Sequence, residues 1–414
     1  MTLYDELLWR GMIKDVSDEE AARDLLDNNT TVFYCGFDPT GQSLTVGHLV
    51  QIVRMRLLQN HGHTAIALIG GATGLIGDPR QTSERKLLTL KESLLNAERI
   101  KSQLSAYLDP EKTVFVNNHD WAKDIDMITF LRDYGKMFSI NYMLAKETVQ
   151  QRLSVGISYT EFSYMLLQAI DFLHLYKEHG CRLQFGGSDQ WGNITTGLEL
   201  IRKSVGDNHG AIGMSSPLLL KTDGTKFGKT ESGTLWLDGA LSSPYEVYQY
   251  FINVADSDVE KDLKTLTLLD RTDIDALIRS MKDAPEEREA QKALAREVVT
   301  FMHGRVAYET AKSVSEALFS GSFEDLSEDA FSMLAKAIPT IGADDTVTIQ
   351  DALVETGLAK SNREVRTYVS QGAVSVNGIK AEDFTSPVTG FPFHHGTYAV
   401  LRRGKKSYAM IRKG

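Results

Sequence analysis

Thr31-Val-Phe-Tyr-Cys-Gly36, with the stretch that follows it, Asp38-Pro-Thr-Gly-Gln-Ser-Leu-Thr-Val-Gly-His-Leu49, decides the fold. The first is a short β-prone run closed by glycine. The second is a polar turn leading into the helical pattern Leu49-Val50, Ile52-Val53, Leu57-Leu58. Thr64-Ala-Ile-Ala-Leu-Ile-Gly-Gly71 then reads as a buried strand, a continuous apolar run stopped by glycine. Thr113-Val-Phe-Val116 and Arg182-Leu-Gln-Phe-Gly186 repeat the theme after helical segments. Strands alternating with helices predict an α/β fold with a doubly wound parallel sheet, and ligands at the carboxyl ends of its strands.

Composition narrows the class. Over 414 residues, 42% are hydrophobic and 24% charged, as in an ordinary globular chain. No apolar run reaches the length of a membrane span. The start, MTLYDELLWRGMI, carries acidic residues where a secretory signal has a basic region. Cys35 and Cys181 are the only cysteines, which excludes a disulfide framework and points to a reducing cytoplasm. The net charge of −10 hides an asymmetry: Ile349–Gly414 holds ten Lys and Arg against five Asp and Glu, while the residues before it hold 35 against 50. A basic tail on an acidic body is expected when one part touches phosphates; a merely solvated tail has the same composition.

Two basic-polar signatures suit a triphosphate, Asp38–Leu49 and Lys226-Phe-Gly-Lys-Thr230. A single phosphate loop keeps its donors within one turn, so two distant ones imply a nucleotide gripped from opposite sides of a cleft, with chemistry at the α-phosphate. In the first, Pro39 stiffens the turn and Thr40 offers a hydroxyl. Gly47 clears space for a base or ribose, and His48 opens a helix whose free amides favour anions. A TxGH after a strand is equally a turn followed by a core histidine. The second signature is not a Walker loop, because Gly224 to Gly228 leaves three intervening residues where four are required. Its lysines form either a cationic flap or a solvated loop. Gly70–Asp78 is glycine-rich but lacks dinucleotide-site spacing.

Beyond Trp236 the pattern turns helical, from Pro244–Ile252 through about Leu318, and Ser320–Asp345 reads as a linker with room for a helical turn or two at Ala330–Ile338. A last domain begins near Thr346. There Ile349–Thr356 is a short helix closed by Gly357, and Ser361-Asn-Arg-Glu364 opens a second helix that stops at Gly372. Asn377-Gly378 turns a hairpin. Tyr164, Gln168 and Asp171 fall at i, i+4 and i+7, on one helix face. Phe162, Met165, Leu166, Leu167 and Phe172 flank them, so this polar stripe lies in a largely buried helix and needs partners.

Together these residues resemble the bacterial tyrosyl-tRNA synthetases, of the first class of aminoacyl-tRNA synthetases. YCGFDPT at Tyr34–Thr40, GGATGLIGDP at Gly70–Pro79, SYTEFSYMLLQAIDFLHL at Ser158–Leu175, QFGGSDQWGNI at Gln184–Ile194 and KFGKT occur in the family's order. TVGH is this chain's version of the HIGH signature and KFGKT its version of KMSKS. Thr45 departs from the family's usual histidine. The loop after Asp78 lacks a lysine many members carry, with Arg80 as a substitute and Arg85 a better match. The tail resembles the small RNA-binding module shared with a small-ribosomal-subunit protein.

The resemblance implies a Rossmann-like catalytic domain over 1–235, a helical tRNA-binding domain over 236–320, a linker over 321–345 and a small α+β RNA-binding domain over 346–414. It implies a homodimer, with the interface around Asp120–Lys146 and apolar contact from Tyr134, Met137, Phe138 and Met143, residues that an ordinary core helix explains equally well. It assigns Asp171 and Tyr34 to the phenolic hydroxyl of tyrosine, and Asp78, Tyr164 and Gln168 to its ammonium, with Gln184 and Gln190 as further contacts. Cys35 and Asp189 fall beside the ribose of ATP. Gly36, Asp38, Gly47 and Gly187 line the path between the substrates. Thr40, Thr45, His48, Arg85, Lys226, Lys229 and Thr230 steady the phosphates, and Mg²⁺ accompanies ATP without a dedicated metal site. Lys360, Arg363, Arg366, Arg402, Arg403, Lys405 and Lys406 meet the backbone of tRNA(Tyr). The rival expectations are a tryptophanyl-tRNA synthetase and a non-catalytic RNA-binding derivative of such an enzyme.

Overall fold

The computed structural model describes residues 1–79, 87–154, 156–222, 224, 227–230, 233–404 and 407–413. Strands β1 (Val32–Phe37), β2 (Thr64–Ile69), β3 (Thr113–Asn117), β4 (Cys181–Gly187) and β5 (Ile212–Ser216) form one sheet in the order β3-β2-β1-β4-β5. Every pairing is parallel. This is the Rossmann-like sheet expected. Strand β5 is the addition: its Ile-Gly-Met-Ser-Ser sequence has too few β-branched residues to read as a strand, yet all five are buried. The amino-terminal segment covers its outer side, with Lys14 N donating to Ser215 O (2.8 Å) and Ser17 N to Gly213 O (3.0 Å).

The order reverses between β1 and β4, so their carboxyl ends part there and open a crevice. Helix α1 (Leu49–Asn60) follows β1. Helix α2 (Leu90–Tyr107) follows β2 and starts at a Thr89–Glu92 capping box. Helix α3 (Tyr159–His179) precedes β4 and ends on Gly180 at φ +64. Helix α4 (Trp191–Val205) leaves β4. The core between sheet and α3 gathers Tyr34, Ile66, Phe172, Leu175 and Leu200.

The chain divides into two compact units, Met1–Asp238 with Ala255–Ala290, and Gly239–Val254 with Gln291–Gly414. The helical stretch expected as one domain over 236–320 is thus shared between them. Pro244–Ile252 is helical as read. The expected linker over 321–345 is structured instead: Glu328–Ala337 is a helix and Thr340–Ala343 a strand. Its composition looks like a linker's, but Ala330, Phe331 and Leu334 share one apolar face and bury against Tyr398, Val400 and Met410. The second sheet runs Ile379–Lys380, Val374–Val376, Tyr398–Arg403, Ser407–Lys413, Thr340–Ala343, and only the last pairing is parallel. The Asn377-Gly378 hairpin forms as read, both residues at positive φ (47° and 79°).

Candidate active site

The crevice floor is built where β1 and β4 run side by side, with Tyr34 opposite Gln184. Tyr34 is 1% exposed, its ring 5.3 Å from that of Phe172. Its hydroxyl and the side-chain oxygens of Gln184 and Gln168 are buried with no hydrogen-bond partner among the described residues. Buried polar atoms are nearly always satisfied, so three orphans on neighbouring elements mark where a polar ligand belongs.

Asp171 stands beside them on α3, 3% exposed. Its Oδ1 accepts from Trp121 Nε1 and its Oδ2 from Asn118 Nδ2, both at 2.9 Å. Burial pushes its carboxyl up to about 7, although those two bonds pull the other way. Asn118 Nδ2 also donates to Thr73 Oγ1 (2.9 Å), and the Thr73 hydroxyl donates to Asp38 Oδ1 (2.7 Å). Tyr164 Oη donates to the other Asp38 oxygen at 2.8 Å. The paired glycines make room for this chain: a Cβ at Gly70 would fall 2.0 Å from Asp38 Oδ1, and one at Gly71 2.2 Å from Asn117 Oδ1.

A second carboxylate, Asp78, accepts from Gln190 Nε2 (2.8 Å) and Asn193 Nδ2 (3.1 Å). Burial raises it to about 6 against those two bonds. Thr73, Asn118, Trp121 and Asn193 were not picked out from the sequence. Their only signal there is position, just after a strand or at the start of a helix that leaves one.

The two phosphate signatures meet in space. Val46 N donates to Leu235 O (3.0 Å), Leu237 N to Leu44 O (2.8 Å) and Leu235 N to Gly228 O (2.9 Å). Gly228, at φ +72, would place a Cβ 3.6 Å from Val46 Cβ and 3.8 Å from Gly47 N. The KFGKT turn is therefore strapped against TVGH through residues 235–237. Lys229 and Thr230 form a two-residue strand against Gly233–Thr234, and only their backbone is described. Lys226 and Arg85, like Arg80, lie outside the described residues.

Thr45 N donates to His48 Nδ1 (3.1 Å), and the Thr45 hydroxyl is 3.0 Å from the same nitrogen. A backbone N–H can only donate, so Nδ1 is the acceptor and the proton sits on Nε2. His48 as a whole is exposed, yet loss of solvation around its ring lowers the ring's pKa. Gly36, Thr40, Gly47 and Asp189 are exposed around the crevice, and Gly187 is half-buried. Adding a Cβ at Gly187 would bring it 2.5 Å from Asp189 Oδ1. Cys35 is buried, and burial pushes its thiol up to about 11, so it is no nucleophile. Strand alternation turns it to the face opposite Tyr34.

A cavity of about 410 Å³ lies between Thr160, Ser163, Leu167 and Ile170 of α3 and the segment with Ile125 and Phe130. Thr73, Asn118, Trp121 and Asp171 also line it, so the cavity adjoins the crevice floor. In the insertion, Phe138 and Met143 are buried, and Tyr134 and Met137 pack against the same core. Phe138 and Met143 thus serve the core, while Tyr134 and Met137 are half-buried. The most exposed apolar residues there are Met127 (73%), Ile128 (66%) and Ile140 (60%), followed by Leu131.

In the second unit, Lys360, Arg363 and Arg366 are exposed around the start of helix Asn362–Ser370. Ser361 caps that helix, while the Glu364 carboxylate accepts from Lys360 N, one residue earlier than a capping box requires. Arg403 is half-buried, donating to Leu358 O (2.7 Å), and Arg402 donates to Gly404 O (2.7 Å). Lys405 and Lys406 lie outside the described residues.

A parallel sheet with TVGH and KFGKT strapped together at its crevice defines a class I aminoacyl-tRNA synthetase. Residues 26–320 match the family model of class I tRNA synthetases (W and Y), and residues 330–411 that of the SYY-like tyrosine–tRNA ligase C-terminal domain. The chain is 49% identical to the tyrosine–tRNA ligase of Geobacillus stearothermophilus over 420 aligned positions, spanning 100% of both. It is 48% identical to that of Onion yellows phytoplasma over 412, spanning 99% of this chain and 100% of that one. A C-terminally truncated mitochondrial tyrosyl-tRNA synthetase from Aspergillus nidulans superposes with a TM-score of 0.69 at 30% identity, over 77% of this chain and 94% of that one. The chain belongs to the tyrosine–tRNA ligase family.

Proposed function

We infer that this protein joins tyrosine to tRNA(Tyr) in two steps, with ATP as the activating substrate. The tyrosine carboxylate attacks the α-phosphorus and pyrophosphate leaves. The ribose hydroxyl at the 3′ end of tRNA then attacks the carbonyl of the mixed anhydride, and AMP departs. The observation that carries the reading is the crevice floor, where buried Asp171 stands with the partnerless Tyr34 hydroxyl. A phenol placed there donates to Asp171 and accepts from Tyr34, which satisfies both. The ammonium goes to Asp78, with Gln168 and the Asp38–Tyr164 pair beside it, and Gln184 and Gln190 complete the amino-acid site.

Catalysis by these residues is positioning and charge stabilisation, without a covalent enzyme intermediate. His48, held by Thr45 with its proton on Nε2, donates to a phosphate oxygen. Thr40 and Thr45 add hydroxyls where the family usually has a histidine at the second position, and Lys226, Lys229, Thr230 and Arg85 supply the remaining donors. Gly36, Gly47 and Gly187 keep the nucleotide's path clear, and Asp189, with Cys35, falls on the ribose side. Mg²⁺ accompanies ATP, held mainly by phosphates and water. Lys360, Arg363 and Arg366, exposed on one helix start, are the leading tRNA-backbone contacts. Arg402 and Arg403, already committed to carbonyls, are secondary, with Lys405 and Lys406 nearby in sequence. The two buried, unpaired cysteines suit a cytoplasmic setting.

ATP–pyrophosphate exchange tests the reading. Tyrosine should support it and tryptophan should not; exchange with tryptophan alone would make the protein the rival synthetase, and exchange with neither would make it a non-catalytic derivative. Tyrosine affinity should also depend on pH. Asp171 and Asp78, raised to about 7 and 6, are partly protonated in mild acid and then accept poorly. Binding should therefore strengthen as pH rises from about 5 to 8, and Asp171→Asn should flatten the upper part of that rise. The reverse slope in a titration of the dissociation constant would refute the assignment of the carboxylates.

We place the homodimer contact on the exposed apolar residues Met127, Ile128 and Ile140 of the insertion. The double variant Met127→Glu, Ile140→Glu should sediment as a monomer in analytical ultracentrifugation. A dimer unchanged in affinity would move the interface elsewhere.

A further inference from the structure

Helix Asp256–Leu266 lies beyond both phosphate signatures in the sequence, yet it belongs to the same compact unit. It packs against α1, the helix that opens on TVGH. Its far end is held by Arg10, which is 2% exposed and donates to Lys264 O (2.9 Å), Thr267 O (3.0 Å) and Leu269 O (2.7 Å). Its near end meets the chain that leads into KFGKT. Asp258, 7% exposed, accepts three hydrogen bonds at a single oxygen: from Thr222 N (2.9 Å), the Thr222 hydroxyl (2.6 Å) and Lys261 Nζ (2.9 Å). Lys261 Nζ also donates to Leu220 O at 2.5 Å.

An acid in the first turn of a helix ordinarily serves that helix's own amides. Asp258 Oδ1 instead reaches a residue 36 positions earlier in the chain. Burial raises its pKa, but the bonds from Thr222 and Lys261 outweigh that and hold it below the usual carboxylate range, so it stays ionised at neutral pH. Thr222 is thus held by Asp258, and Gly228 by Leu235 and the TVGH turn.

We propose that Asp258 is a positioning residue for adenylate formation, holding the root of the KFGKT turn at a set distance from TVGH through helix Asp256–Leu266. Asp258 touches neither substrate; it acts through Thr222, and Lys261 braces the same root at Leu220. The inference rests on the reading of this crevice as the site where ATP activates tyrosine.

The test is ATP–pyrophosphate exchange on the full chain, with ATP and tyrosine varied separately. Asp258→Ala should lower kcat/KM for ATP roughly 10-fold, the scale of one charge-assisted hydrogen bond, and leave the KM for tyrosine within about twofold. Asp258→Asn, which keeps an acceptor for Thr222, should recover most of the loss. Thr222→Val, at an exposed position where folding is not at risk, should move the ATP parameters in the same direction by about threefold. Unchanged ATP parameters in Thr222→Val and in a folded Asp258→Ala would overturn the proposal. So would parallel losses for tyrosine and ATP, the mark of a merely structural role. Absence of exchange in the unmodified protein would instead sink the underlying reading of the crevice, so the two failures are distinguishable.

Discussion

Asp171→Ala should reduce kcat/KM for tyrosine by roughly 10²–10³-fold in the exchange reaction, with the KM for ATP little changed. The size follows from what the substitution strands. Asp171 takes bonds from Asn118 and Trp121 in the free protein and, in our reading, a third from the substrate's phenol. Without it three donors face a buried space with no acceptor, each a charge-assisted bond lost. Tyr34→Phe removes only one neutral donor and should cost about tenfold or less. The pair of variants separates charge from shape, since both leave an opening but only one removes the anion. A thermal melt must accompany the assay, because the unsatisfied Asn118 and Trp121 groups will also lower stability. Tyrosine activation at the unmodified rate in a folded Asp171→Ala protein would show that the phenol binds elsewhere.

Removing the carboxyl-terminal module should abolish charging of tRNA and spare activation of tyrosine. The structure decides where to cut. A break near Thr346 would leave strand Thr340–Ala343 without its partner Ser407–Lys413 and would expose Phe331 and Leu334, which bury against Tyr398 and Met410. A break after Ser320 removes helix, strand and module together and bares Val314 and Ala317 of that core, with the partly buried Tyr245 and Leu318 beside them. In the truncated protein, pyrophosphate exchange should remain within a fewfold of normal. Aminoacylation of tRNA should fall on the order of 10²-fold or more, as several phosphate contacts are lost. Charging that survives the cut would reduce the module to an accessory.

Much of this was legible in the chain. The runs at Thr31–Gly36 and Thr64–Gly71 announce buried parallel strands, because a strand covered on both faces must be apolar throughout. Asn377-Gly378 announces its hairpin, because few other residue pairs accept two positive φ angles in a row. Strand β5 escaped because Gly213, Ser215 and Ser216 carry no β signal; burial beside β4 makes it a strand. The helix at Glu328–Ala337 is longer than the turn or two its sequence suggests, because the Gly, Ser, Asp and Glu around it read as linker, while Ala330, Phe331 and Leu334 share a face that only the neighbouring strands bury. Phe138 and Met143 are as apolar as Met127 and Ile140, and only packing shows that the first pair is buried and the second exposed.

The order of residues alone fixed which chemical groups are present and which fall on one helix face, since periodicity is a local property of the backbone. That put Tyr164, Gln168 and Asp171 together and set TVGH and KFGKT apart as anion-gripping pieces. The folded chain decided what each group meets. Asn118 and Trp121 hold Asp171, Thr73 joins Asn118 to Asp38, Thr45 sets the proton on His48, and Asp258 holds Thr222. These contacts link residues far apart in the chain or depend on side-chain geometry, and hydrogen bonds of that kind leave no period in a sequence because only folding brings their partners within reach.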